Sequence, residues 1–313
     1  MKSILKFSII VVIVLTFSYC SSDVFSKNSK EKIPTSKEIV TTLCSDKFQG
    51  RLTGSDGNEK AGEYIAKTFK DIGLDYYVAD SYYEKYQVVI SNFGGGGIAS
   101  KVETVNVIGV IKGKDSKKAV VISAHYDHLG YVDGKIFRGA LDNASGVSAL
   151  IKIAHTLKEK SKDKPFKMDI IFCAFNGEEE LLSGSRTFVN ELKAKSMYNG
   201  LYNINIDCIG AKEGETNLAL NNISKISGKL YDAVKATLKK DNIGFKDITV
   251  RGGSDYMSFE DANIPNIFFV QENIEKLVHK PSDTPDILDY EQIDKIANAI
   301  SDFVETNDGI MFN

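Results

Sequence analysis

Five side chains of metal-binding type occur in order along this chain: His125, Asp142, Glu179, Asp207 and His279. A further carboxylate, Glu178, stands immediately before the third. Two imidazoles and three carboxylates suit a pair of zinc ions that share one bridging carboxylate. A free carboxylate beside such a pair suits a general base that takes a proton from water. His125 closes the apolar run VVISAH, the two glutamates follow IIFCAF, and Asp207 lies within NINIDCIG. A parallel sheet would gather these positions, because sites form beyond the carboxyl ends of its strands.

Each of these residues, taken alone, has a plainer reading. A histidine at a strand end is usually structural, but Asp127 offers an acceptor for the second imidazole N–H and turns His125 toward a ligand. Asp142 and Asn143, in the stretch GALDNASG, read equally as caps of the following helix. Three successive glutamates are ordinarily a solvated loop, yet a strand end is a costly place to gather negative charge without a cation. Glu179 as ligand and Glu178 as base give that cluster a purpose, with Glu180 left for the surface. Asp207 in its apolar run needs a partner, either a metal or an arginine. His279, in VHKPSDTPD, carries little signal by itself, and Asp283 is a candidate carboxylate for its other nitrogen. His128 is expected at the rim of the site and His155 on a solvent-facing side of a helix. The sequence contains no HExxH, GxSxG, phosphate-binding loop or CxxC.

The elements that must hold these residues alternate. Helical spacing of apolar residues marks 57–70, 144–160, 185–194, 224–239 and 290–304, and a short helix is expected in 36–50 with Ser36 as its cap. Strand-like runs fall at 86–90, 102–111, 119–124, 168–175, 203–209 and 266–270. The pattern predicts an α/β fold, a three-layer α/β/α sandwich with a mixed, mostly parallel central sheet. The runs 86–90 and 102–111 are expected to pair as an antiparallel hairpin at one edge, around the glycines 94–97.

Residues 1–20 differ from the rest. Lys2 and Lys6 precede the apolar run 7–17, the pattern of a secretory signal. Cys20 resembles the acylated cysteine of bacterial lipoproteins, although Tyr19 stands where a small residue is usual. A lipid anchor through Cys20 and an uncleaved anchor both stay open, and either places the domain outside the cytoplasm. Residues 21–36 read as a flexible tether and 37–313 as one domain. Cys44, Cys173 and Cys208 show no close spacing; the last two sit in apolar runs as buried small residues, with a bridge between them left open. Across all 313 residues, 42% are apolar and 26% charged, with a net charge of −3. That balance gives no electrostatic footprint for nucleic acid.

With those motifs in view, residues 38–305 resemble the secreted co-catalytic zinc aminopeptidases of clan MH. The resemblance rests on SAHYDH, GALDNASG, FNGEEELLSGS, NIDCIG, GGSDYMSF and VHKPSDTPD, in that family's order. It implies two Zn²⁺ ions, one on His125 and Asp207, the other on Glu179 and His279, with Asp142 bridging. It further implies Glu178 as general base and Asp127 as the residue orienting His125. Asp255, Tyr256 and Phe259 are expected in the substrate pocket, and the substrate is a peptide with a free N-terminus. A monomer is expected. Leu181 departs from the family, which often has Gly there, and Val278 precedes His279 where some members carry Tyr. Tyr256 is the candidate to replace that group. The rival readings are a single-zinc glutaminyl cyclase and a non-catalytic ectodomain of the same fold.

Overall fold

A run as uniformly apolar as MDIIFCAF forms a strand only where helices cover both faces of its sheet. A computed structural model of the protein describes residues 33–90, 100–212, 218–221, 225–248 and 253–312. In chain order the first elements are α1 (Ser36–Leu43), α2 (Asp56–Ile72), β1 (Asp75–Tyr76), β2 (Tyr83–Ile90), β3 (Ser100–Ile111) and β4 (Asp115–His125). Then come β5 (Gly130–Val132), β6 (Lys135–Phe137), α3 (Ser145–Asp163), β7 (Met168–Phe175), α4 (Ser183–Lys195) and β8 (Gly200–Ile206). The last are β9 (Leu218–Asn221), α5 (Gly228–Lys240), β10 (Phe245–Ile248), α6 (Tyr256–Asp261), β11 (Asn266–Gln271) and α7 (Tyr290–Thr306). Among the described residues no helix is long and apolar enough to cross a membrane. The signal, most of the tether, Cys20 and the glycines 94–97 lie outside the described residues.

The main sheet runs in the order β1-β3-β7-β4-β8-β11-β9-β10, with β2 also paired to β3. Its centre, β7-β4-β8-β11, is parallel throughout. Antiparallel pairs flank that centre: β3 joins β7 on one side and β9 joins β11 on the other. The expected hairpin of β2 and β3 is present at the edge, with Tyr83 opposite Val107 and Ile90 opposite Ser100. Along β7, Ile170, Phe172 and Ala174 point into the core beneath α1, α2, α3, α5 and α7. Ile171, Cys173 and Phe175 point the other way, against Phe188 of α4 and Phe259 of α6. Helices on both faces of a sheet with a parallel centre make the three layers that the alternation of runs predicts.

Helix ends refine the sequence reading. Thr35, not Ser36, caps α1: its hydroxyl accepts from the Glu38 N–H while the Glu38 carboxylate accepts from the Thr35 N–H. Ser36 is instead buried and donates to Asp294 of α7. The short hairpin β5–β6 and the helix α6 carry too few residues for a period to show. Cys44, Cys173 and Cys208 are buried free thiols.

Glu84 of β2 is buried, and its Oε2 accepts from Asn106 Nδ2 at 2.7 Å. Burial pushes its carboxyl up to about 7, the Asn106 bond opposing only in part. An acid whose folded pKa lies above the unfolded value near 4.5 binds its proton more tightly when folded. Its contribution is therefore present below pH ~4.5 and is lost as pH rises toward 7. Glu84→Gln keeps an acceptor for Asn106 without that loss. Urea unfolding of the two proteins at pH 5 and 8 should show the variant's advantage growing by about 2 kcal/mol, an order-of-magnitude figure. An advantage that does not change with pH would contradict this account.

Candidate metal centre

The carboxyl ends of β4, β7, β8 and β11 lie side by side, and each leads into one part of a polar cluster. His125 is the last residue of β4, Asp207 follows β8 directly, and Glu178 and Glu179 follow β7 after two residues. His279 lies in the loop after β11, and Asp142 in the irregular turn that opens α3. All five sequence candidates meet here. His125 Nε2 is 3.3 Å from Asp142 Oδ1 and 3.3 Å from Asp207 Oδ1. His279 Nε2 is 3.0 Å from Asp142 Oδ2 and 3.1 Å from Glu179 Oε1. The two oxygens of Asp142 thus face two separate donor groups.

The electrostatics call for positive charge. Burial alone would lower the His125 pKa, but Asp207, Asp127 and Asp142 lift it well above its ordinary value. His279 is held up to about 10 by its bonds to Asp142 and Glu179. Despite its burial, Asp142 is kept well below the usual carboxylate range by His125, His128 and His279. Protons collect where a divalent ion would supply more charge in the same space, and metal binding releases such protons. The donor set, imidazole nitrogen and carboxylate oxygen at these separations, fits zinc. Glu178 behaves differently. Burial pushes its carboxyl well up, opposed by His125 and reinforced by Asp207, Asp255 and Glu179. Its carboxylate takes part in no hydrogen bond among the described residues.

The supports are mostly not the expected ones. Asp127 Oδ1 is 3.6 Å from His125 Nδ1, which lies nearer the Asp127 backbone oxygen at 3.3 Å. The carboxylate chiefly accepts from the N–H groups of Glu178 and Glu179, each at 3.2 Å, and from Thr53. Asp283 does not face His279. Its oxygens accept from the N–H groups of Leu141 and Asp142, at 2.7 and 3.1 Å. Ser254 donates to Asp207 Oδ2 at 2.8 Å and accepts from Asn205. Asn143 ties the turn to β8, donating to the Ile206 oxygen and accepting from the Cys208 N–H.

Four further placements correct the sequence reading. His128 is not at the rim but wholly buried, with Nδ1 3.0 Å from Glu179 Oε1. Glu180 is buried, and it is Leu181, 81% exposed, that meets solvent. Phe259 sits in the core between Phe175 and Phe188 rather than in a pocket. Tyr256 is buried with its ring stacked on Phe268. Asp255 is fully buried, its oxygens have no partner among the described residues, and burial pushes its carboxyl up to about 7. His155 is half-buried on α3.

Sequence reading passed over Arg51. It is wholly buried, and its guanidinium donates to four backbone oxygens: Tyr126 at 2.7 Å, Leu43 at 2.9 Å, Arg138 at 2.7 Å and Gly139 at 2.8 Å. Tyr126 follows His125 and Gly139 opens the Asp142 turn, so one side chain fastens both donor segments. The preceding Gly50 has φ +69°, and a Cβ there would fall 2.4 Å from the Phe137 oxygen. The only hint in sequence is a charged residue beside a glycine at the end of an otherwise helical stretch.

Residues 106–304 match the model of a protein family described as peptidase family M28. YwaD, an aminopeptidase of Bacillus subtilis, is 28% identical over 204 residues, covering 63% of this chain and 43% of its own length. The matches thus span less than half the length of the first curated relatives. Among solved structures, BSAP, a zinc aminopeptidase from Bacillus subtilis, superposes with a TM-score of 0.67 at 17% identity. That match covers 88% of this chain and 96% of BSAP. A glutaminyl cyclase of Porphyromonas gingivalis gives 0.71 at 18% identity, covering 88% of this chain and 98% of its own. At those identities the likeness is one of fold.

Arg51→Met would remove the side-chain donor from four backbone carbonyl oxygens, three of them in buried bonds, and should destabilise the protein by about 3 kcal/mol or more. Arg51→Lys, with a point charge in place of a planar fork, should recover less than half of that loss. Denaturant melts of the three proteins test this; equal stability of the methionine variant would remove Arg51 from its fastening role.

Proposed function

The chain belongs to peptidase family M28, and on that premise we propose that it is a two-zinc exopeptidase, an aminopeptidase acting on peptides with a free N-terminus. The observation that carries this reading is the split of Asp142, one oxygen toward His125 and the other toward His279. A single-ion site has no use for that division. Bound there, two zinc ions would polarise the scissile carbonyl and acidify a water molecule. His125, Asp142 and Asp207 are the residues proposed to hold one ion, with Asp142, Glu179 and His279 for the other.

Glu178 is proposed as general base. It lies beside the cluster, is tied by its backbone N–H to Asp127, and has a carboxylate with no hydrogen-bond partner among the described residues. It would take the proton from the attacking water as oxygen adds to the carbonyl carbon. It would return that proton to the departing amine nitrogen as the C–N bond breaks. Burial, reinforced by its neighbours Asp207 and Asp255, raises its proton affinity, which favours the first transfer. Asp127 is proposed to orient the base and its neighbour through their backbone N–H groups. Asp255, whose charge acts on Glu178, borders this region; apolar first residues are the proposed preference. The Lys2–Lys6 signal pattern supports placing the activity outside the cytoplasm, with or without a lipid on Cys20.

The single-zinc cyclase is the second reading, favoured by the shared fold. A panel of aminoacyl-nitroanilides and Gln-initiated peptides separates the two. Hydrolysis that a chelator abolishes and zinc restores, at two ions per chain, is the expected result. Cyclisation without hydrolysis, at one ion per chain, would overturn the reading. Glu178→Gln should keep both ions and lose about 10²–10⁴-fold in kcat; full activity in that variant would reassign the base.

A further inference from the structure

The two donor groups of this cluster are unequal, and His128 makes them so. On one side His125 Nε2, Asp142 Oδ1 and Asp207 Oδ1 offer three atoms. On the other side stand Asp142 Oδ2, Glu179 Oε1, His279 Nε2 and a fourth, His128 Nδ1. His128 Nδ1 is 3.0 Å from Glu179 Oε1 and 3.7 Å from Asp142 Oδ2. His279 Nε2 closes the same figure at 3.0 and 3.1 Å from those two oxygens. A tetrahedron of donors about 2.0–2.1 Å from zinc has edges of about 3.3–3.4 Å. The four edges measured here straddle that length.

The backbone makes room for this ring. Gly139 has φ +56°, and a Cβ on it would fall 2.6 Å from both Cγ and Cδ2 of His128. The ring is wholly buried, and its Nε2 has no partner among the described residues, so its polar engagement runs through Nδ1 alone. A hydrogen bond to Glu179 would explain one of its two approaches but not the one to Asp142.

We propose that His128 is a fourth protein ligand of the ion at Glu179 and His279, making that position closed while the His125 position stays open. This rests on the two-ion reading above. Closed four-donor zinc positions are characteristic of structural sites, and positions with three protein donors keep a vertex for water or substrate. The closed ion would therefore bind first and be held, whereas the open one exchanges and is where a substrate atom has room. The two imidazoles of the closed position face each other at 5.7 Å between ring centroids.

Titration of the metal-free chain with Zn²⁺ against a competing chelator tests this, together with Co²⁺ spectra at one equivalent. The wild type should show two events of unequal affinity, and its first equivalent of Co²⁺ should give the intense visible bands of four-coordination. His128→Asn should weaken the tight event by about 100-fold or more, since even supporting residues of a zinc site cost about 10–100-fold. Asp207→Asn should weaken only the other event. A weak, six-coordinate Co²⁺ spectrum at the first equivalent in the wild type would overturn the proposal without recourse to any variant. So would a folded His128→Asn protein with its tight event intact. A chain that takes up no Zn²⁺ at all would instead remove the two-ion reading on which this one stands.

Discussion

Three carboxylates, the buried Asp142 and Asp207 and the half-buried Glu179, converge within hydrogen-bonding distance of imidazoles at one edge of the sheet, and their compensation governs everything around them. Unpaired, such charges cost several kcal/mol each. The fold meets this by surrounding them with protonatable rings, so that His125 and His279 are driven up and Asp142 is driven down. A cation at the same place answers the same demand. Glu178 is the exception: its carboxylate has no hydrogen-bond partner among the described residues, and burial, reinforced by the other acids, raises its proton affinity.

Geometry of this accuracy has to be held from behind. The donor segments are tied to one another more than to the core: Arg51 joins the turn after His125 to the turn before Asp142, and Asp283 grips the N–H groups at Leu141 and Asp142. Asn143 joins that turn to the end of β8, and Asp127 joins the end of β4 to the start of the glutamate loop. Asn176, two residues before Glu178, is itself held by Asn58, Thr104, Tyr126 and Asn106. Displacing any one loop therefore moves a neighbour, and metal affinity becomes coupled to the folding of the whole edge.

The parts legible in sequence were those with local signatures. Continuous apolar runs announced β4, β7 and β11, and polar residues at or soon after the ends of such runs announced His125, Glu179 and Asp207. What escaped notice depends on contacts between distant segments. Arg51 reads as a surface cation until the backbone oxygens of residues 43, 126, 138 and 139 close on it. His128 reads as a rim residue because nothing local says that Gly139 leaves space for its ring. Leu181, not Glu180, meets solvent where the chain turns into the left-handed region at Leu181, φ 61°, and the apolar side chain is sent outward. That conformation costs a residue with a Cβ about 1–2 kcal/mol and suits the glycine often found there in the resembling family. Phe259 belongs to a helix too short for its period to show which side is buried.

The fold by itself does not choose between hydrolysis and cyclisation, since a zinc aminopeptidase and a glutaminyl cyclase superpose on it about equally well. What sets catalysis apart from mere partner binding is the set of groups whose presence works against stability. Asp255 is buried, its oxygens have no partner among the described residues, and its charge adds to the burial that raises the proton affinity of Glu178. Replacing that aspartate by an apolar residue of similar size would remove a desolvation cost. A chain that used this edge only to bind a partner would have no use for such a strained pair of acids. A chain that must lift a proton from water and hand it to an amine nitrogen does, because the base has to hold the proton firmly enough to carry it and loosely enough to release it.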